Sequence, residues 1–239
     1  MQGWLVKTKI VDYKKAPTIV FYHENAGSKP KNPSKTTPEA QNSKLLIPLQ
    51  QEQIRQELNY KEISNPIDIG TRLNFIQHLL KNLNVNFLII AYRGYSYSEG
   101  EPNEPGIKLD GHAILDYAFS RKDLDTSKII VFGRSLGGAV AINTLSHTNH
   151  KVLGAIIENT FTSIDAMVDK LFPMVAFLKG FVLRNHWRSI EVIGRVRVPI
   201  LFIKAMNDEL IPPAMMNKLY ANAVSAKFKK MVNFFQKKK

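Results

Sequence analysis

Five short runs at 17–22, 85–92, 129–133, 152–157 and 199–205 are apolar almost throughout. None alternates apolar with polar, so each predicts a strand buried on both faces. Between them the period changes. Leu73, Ile76, Leu79, Leu80 and Leu83 recur at helical spacing, and 107–120, 136–145 and 214–223 also predict helices. A weaker strand candidate lies at 231–235. Strands alternating with helices imply βαβ crossovers and an α/β fold with a mostly parallel sheet. In such sheets chemistry collects at the carboxyl ends of the strands.

Residues 29–68 break this pattern with Lys, Asn, Pro, Ser and Gln. The stretch predicts a disordered insertion in what is otherwise one domain. A less regular region at 163–197 predicts a small helical lid. No run of about 18 apolar residues is present to span a bilayer.

Composition narrows the chemistry. The 239 residues include no cysteine, which excludes a thiol nucleophile, a thiolate metal site and a disulfide scaffold. No metal ligand set and no cofactor motif is read in the chain. The net charge of +13, from 33 Lys and Arg against 20 Asp and Glu, raises the question of a polyanionic partner. The basic residues are scattered, with clusters at 7–15, within the insertion at 29–68, at 184–197 and at 227–239, and they form no nucleic-acid motif. A solvated basic surface is expected, with no nucleic-acid partner. The Phe and Lys mixture of 227–239 leaves contact with an anionic membrane surface open, worth about 1 kcal/mol per basic residue there.

One motif carries chemistry. Gly133-Arg-Ser-Leu-Gly137 falls between a predicted strand and a predicted helix, the context a nucleophile elbow needs. Three fixed residues match by accident in about one chain in twenty of this length, and the strand–helix context makes accident a poor explanation. Ser135 is the expected nucleophile. The N–H of Leu136, at a helix start, is the expected oxyanion donor. The loop His23-Glu-Asn-Ala-Gly27 follows the first strand and is expected to supply the second donor from the N–H of Asn25. Asp208, just past the strand at 199–205, stands where the acid of a triad belongs. Taken alone, it would read as an ordinary turn residue or helix cap.

These motifs agree in order with a known family. Tyr22-His-Glu-Asn-Ala-Gly-Ser28, Tyr92-Arg-Gly-Tyr-Ser-Tyr-Ser-Glu-Gly-Glu101, Leu115-Asp-Tyr117, Phe132-Gly-Arg-Ser-Leu-Gly-Gly138, Glu158-Asn-Thr-Phe161 and Asp208-Glu-Leu-Ile-Pro-Pro213 occur in sequence. Together they resemble the α/β-hydrolase domain-containing protein 13 branch of serine hydrolases, relatives of the yeast bud-emergence 46 protein. The resemblance implies an α/β-hydrolase fold and hydrolysis of an acyl ester or thioester. Family members are membrane-anchored, and a neighbouring branch removes palmitoyl groups from proteins.

The chain departs from that pattern. A triad His should follow the acid, yet His23, His78, His112, His147, His150 and His186 all precede Asp208. No catalytic His is found, and loss of a triad member removes several orders of magnitude of rate. His23 is expected to be structural, His112 to pack on its helix, and His147 and His150 to close the helix after the elbow. His186, beside Trp187 in the lid region, is a weak substitute. Family members usually carry Gly where Glu24 stands, so a carboxylate is expected to crowd the oxyanion loop. Set against the family, the given sequence is expected to start after the family's anchor and first strand.

The sequence therefore reads as an intracellular, membrane-associated α/β-hydrolase, monomeric and impaired for want of its base. A lipidated protein is one substrate the resemblance implies. A non-catalytic pseudohydrolase that binds a lipid or protein partner is the alternative.

Overall fold

The computed structural model describes residues 1–8, 12–25, 73–171 and 183–235. The predicted insertion at 29–68 lies outside the described residues, as do 172–182 of the predicted lid and the last four residues. Seven strands form one sheet: β1 (Gly3–Val6), β2 (Thr18–Tyr22), β3 (Asn86–Ile90), β4 (Ile129–Arg134), β5 (Gly154–Glu158), β6 (Ile200–Ala205) and β7 (Lys229–Phe234). Their spatial order is β1-β3-β2-β4-β5-β6-β7. β1 pairs antiparallel with β3, and every other pairing is parallel.

The helices are α1 (Leu73–Asn82), α2 (Glu104–Ser120), α3 (Leu136–His147), α4 (Ile164–Leu171), α5 (Ser189–Val192) and α6 (Pro213–Asn222). The chain thus has the α/β-hydrolase fold that the motifs imply. The five apolar runs are the five central strands, and every residue of β2 and β3 is buried. One polar residue in that core explains itself. Asn86 is fully buried, accepts the Thr8 N–H at 3.2 Å and donates to the Tyr13 carbonyl at 2.8 Å. It thereby ties the segment after β1 to the start of β3.

Three details differ from the sequence reading. β1 was not expected, because Trp4, Leu5 and Val6 are too few to signal a strand without their partner β3. β7 starts at Lys229, two residues before the apolar part of its sequence. Helix α2 starts at Glu104 rather than at Ile107, because Asn103 caps it by accepting the Gly106 N–H at 2.8 Å. The region at 163–197 holds α4 and α5 among its described residues.

Candidate active site

Ser135 joins β4 to α3 at φ 53° and ψ −121°. A non-glycine residue there is strained by about 1–3 kcal/mol and persists only where its surroundings hold it. Those surroundings are specific. The Ser135 N–H donates to the Glu158 carbonyl at 3.0 Å, and the Thr160 hydroxyl donates to the Ser135 carbonyl at 2.7 Å. On either side, Gly133 and Gly137 leave no room for a side chain. A Cβ on Gly133 would strike the Gly137 carbonyl, and one on Gly137 would strike the Tyr22 carbonyl. The turn is tight because helix α3 starts directly against the ends of β4 and β2.

Register brings the remaining candidates to the same edge. Tyr22 pairs with Gly133, Arg134 with Glu158, and Glu158 with Ile203. The loops leaving β2, β4, β5 and β6 therefore emerge side by side, carrying Asn25, Ser135, Asn159 and Asp208. Leu136 is the first residue of α3, so its N–H has no acceptor within the helix. Asn25 is exposed and its side-chain oxygen accepts from the Tyr95 hydroxyl, which fixes the loop after β2. Asp208 Oδ1 accepts the N–H groups of Leu210 (3.0 Å) and Ile211 (2.8 Å). The acid candidate thus also organises its own turn.

None of the six imidazoles is hydrogen-bonded to Ser135. His23 is buried, stacks on Tyr92 with ring centroids 4.2 Å apart, and has both nitrogens engaged. Nδ1–H donates to the Glu24 carbonyl at 2.8 Å while Nε2 accepts the Tyr92 N–H at 3.4 Å. Both ring nitrogens thus bond backbone groups, of Glu24 and of Tyr92. His78 lies exposed on α1. His112 and His147 face each other across α2 and α3 at 6.4 Å. Burial, with His147 nearby, holds the His112 pKa below its ordinary value. His150 bonds Asp116 at 2.7 Å and stacks on Phe119.

His186 bonds Asp165 at 3.0 Å and lines a cavity of about 340 Å³. The cavity lies between α2, α3 and the 186–192 segment, and its walls include neither Ser135 nor Asp208. Beside it Trp187 is buried at φ 44°. The Trp187 N–H donates to Glu104 Oε2 at 2.9 Å, the His186 N–H donates to the same oxygen, and Lys108 pairs with the other at 2.6 Å. In return Asn185 Oδ1 accepts the Glu104 N–H at 2.7 Å. This reciprocal clasp, which no local sequence signal announces, seats the segment before α5 on the start of α2.

Charge gathers near the elbow. Glu158 is 9% exposed, and Arg134 Nε lies 3.6 Å from its Oε1. Burial pushes the Glu158 carboxyl above its ordinary pKa, Arg134 works against that, and the Glu24 charge adds to it. Among the described residues, no group of three or more His, Asp or Glu could hold a metal ion. None of the described helices is long and apolar enough to cross a membrane.

No family model matches the chain. Its relatives include the Alpha/beta hydrolase domain-containing protein WAV2 of Arabidopsis thaliana, 40% identical over 236 residues, covering 94% of this chain and 63% of that protein. Protein bem46 of Schizosaccharomyces pombe is 36% identical over 167 residues, covering 70% of this chain and 56% of its own length. An uncharacterized membrane protein of Saccharomyces cerevisiae is 35% identical over 174 residues, with 71% and 60% covered. The chain thus spans about three fifths of the length of these relatives. Solved structures that share the fold include two enzymes. An acetyl xylan esterase from Paenibacillus sp. R4 matches with a TM-score of 0.61 at 16% identity, over 98% of this chain and 73% of that one. The acylaminoacyl peptidase of Pyrococcus horikoshii matches with 0.63 at 16%, over 99% and 34%.

Proposed function

The chain is an α/β-hydrolase-fold protein of the WAV2 and bem46 branch, and on that premise we propose that it is a serine hydrolase of acyl esters or thioesters. The strained Ser135 at the head of α3 carries this reading. Its hydroxyl adds to the acyl carbonyl, the N–H groups of Leu136 and Asn25 stabilise the oxyanion, the alcohol or thiol leaves with the Ser135 proton, and water then cleaves the acyl-enzyme to free the acid and Ser135. Asp208 is the acid whose role is to orient an imidazole. We further infer that catalysis is impaired relative to a complete triad, because none of the six imidazoles is hydrogen-bonded to Ser135. We place the protein inside the cell as a monomer at an anionic membrane surface, with a lipid-modified protein as one acyl substrate. Removal of palmitoyl groups falls within that class.

A fluorophosphonate probe on the folded protein is the test. Ser135 labels, and Ser135→Ala abolishes labelling. Folded protein that does not label sinks the hydrolase reading. It would favour a second one, a pseudohydrolase that binds a lipid or protein partner. The specific observation behind that alternative is that none of the six imidazoles is hydrogen-bonded to Ser135.

A further inference from the structure

The end of β5 carries a run, Glu158-Asn-Thr-Phe161, that the proposed chemistry leaves unused. Its two flanks grip the elbow, through the Glu158 carbonyl on one side and the Thr160 hydroxyl on the other. Between them Asn159 is 5% exposed and sits at φ 40°. Outside glycine, Asn and Asp enter this left-handed region most readily.

The bonds of Asn159 point the other way, toward β6. Its N–H donates to the Ile203 carbonyl at 3.1 Å, and its Oδ1 accepts the Ala205 N–H at 2.6 Å. The second bond adds a rung to the β5–β6 ladder, with a side chain standing in for the strand. It fixes the point at which the Asp208 loop leaves the sheet. Because Oδ1 is the acceptor, Nδ2 is the other end of the amide, and it is buried with no hydrogen-bond partner.

A buried, unsatisfied N–H₂ is costly, and a native protein that keeps one has a reason. A carboxylate here would accept the same Ala205 bond and carry no idle donor. The position therefore demands a left-handed backbone and an acceptor for Ala205, and asparagine meets both.

We propose that Asn159 is a positioning residue that locks the Asp208 loop to the Ser135 elbow. The proposal rests on Ser135 being the nucleophile of this site. Hydrogen exchange on the full chain, comparing parent, Asn159→Gly and Asn159→Asp, tests it. Asn159→Gly keeps the backbone conformation and deletes the side-chain bond. Amides at Ser135 and across 205–211 are expected to exchange about tenfold faster than in the parent. Amides of β2 and β3 stay unchanged as the internal reference. Asn159→Asp, which keeps the acceptor, returns 205–211 to parental protection.

Parental exchange at 205–211 in Asn159→Gly overturns the proposal. If Asn159→Gly loses protection in β2 and β3 as well, Asn159→Asp decides. Parental protection at 205–211 in that variant supports the lock, and lost protection there overturns it. Fluorophosphonate labelling is the second readout, expected to slow about tenfold in Asn159→Gly. A loosened loop with parental labelling overturns the link to the elbow. A parent that does not label overturns the hydrolase reading instead, and the exchange comparison still decides the lock.

Discussion

The Thr160 hydroxyl donates a 2.7 Å hydrogen bond to the carbonyl of Ser135, so the segment leaving β5 holds the nucleophile's backbone. Replacing that hydroxyl with a methyl in Thr160→Val removes the bond and keeps the shape. A loss of about 1 kcal/mol is expected in urea unfolding. Labelling of Ser135 should slow, since the elbow is freed on one side. A variant as stable and as reactive as the parent would show that the elbow holds itself.

Gly137→Ala is expected to be far more damaging. The added Cβ meets the Tyr22 carbonyl, a backbone atom that cannot rotate away. Helix α3 must shift from β2, at a cost of about 3 kcal/mol or more. A urea midpoint near the parent's would contradict the close approach.

Glu158→Gln should change how stability depends on pH. The folded state holds the Glu158 carboxyl above its ordinary pKa, chiefly through burial. Such a group favours folding fully below its unfolded pKa of about 4.3, and the benefit is lost as pH rises through the folded value. The parent should therefore lose stability relative to Glu158→Gln between mildly acidic and neutral pH. The opposite slope in paired urea titrations would mean that Arg134 outweighs burial.

Glu104→Gln predicts the reverse slope. Burial raises the Glu104 carboxyl, but Lys108 and the N–H groups of Trp187 and His186 together bring it below its ordinary pKa. Its contribution is present above about pH 4.3 and is lost as pH falls through the folded value. The variant should be less stable by about 1–2 kcal/mol at neutral pH, with the gap closing in acid. A gap independent of pH would assign the effect to packing alone.

Much of this was legible in the sequence because the signals are local. Apolar runs announce the five central strands, and Gly133 and Gly137 announce the tight turn around Ser135. The edge strand Gly3–Val6 was not legible, because its identity comes from Leu88 and its neighbours some eighty residues on. The sequence marked Glu158-Asn-Thr-Phe161 only as a family signature. What those residues do depends on contacts with Ser135 and Ala205, which no local pattern encodes. Asp208 was legible by position, whereas its bonds to Leu210 and Ile211 match the humbler turn reading equally well.

The clasp beside the cavity has an optical consequence. The chain contains two tryptophans, Trp4 and Trp187, and Trp187 is 4% exposed where Glu104 holds its backbone. Replacing Trp4 with phenylalanine leaves a single emitter, shielded from water by the very contact that seats the segment before α5. Its emission maximum then becomes a continuous gauge of that seating, shifting red as the segment lifts from α2.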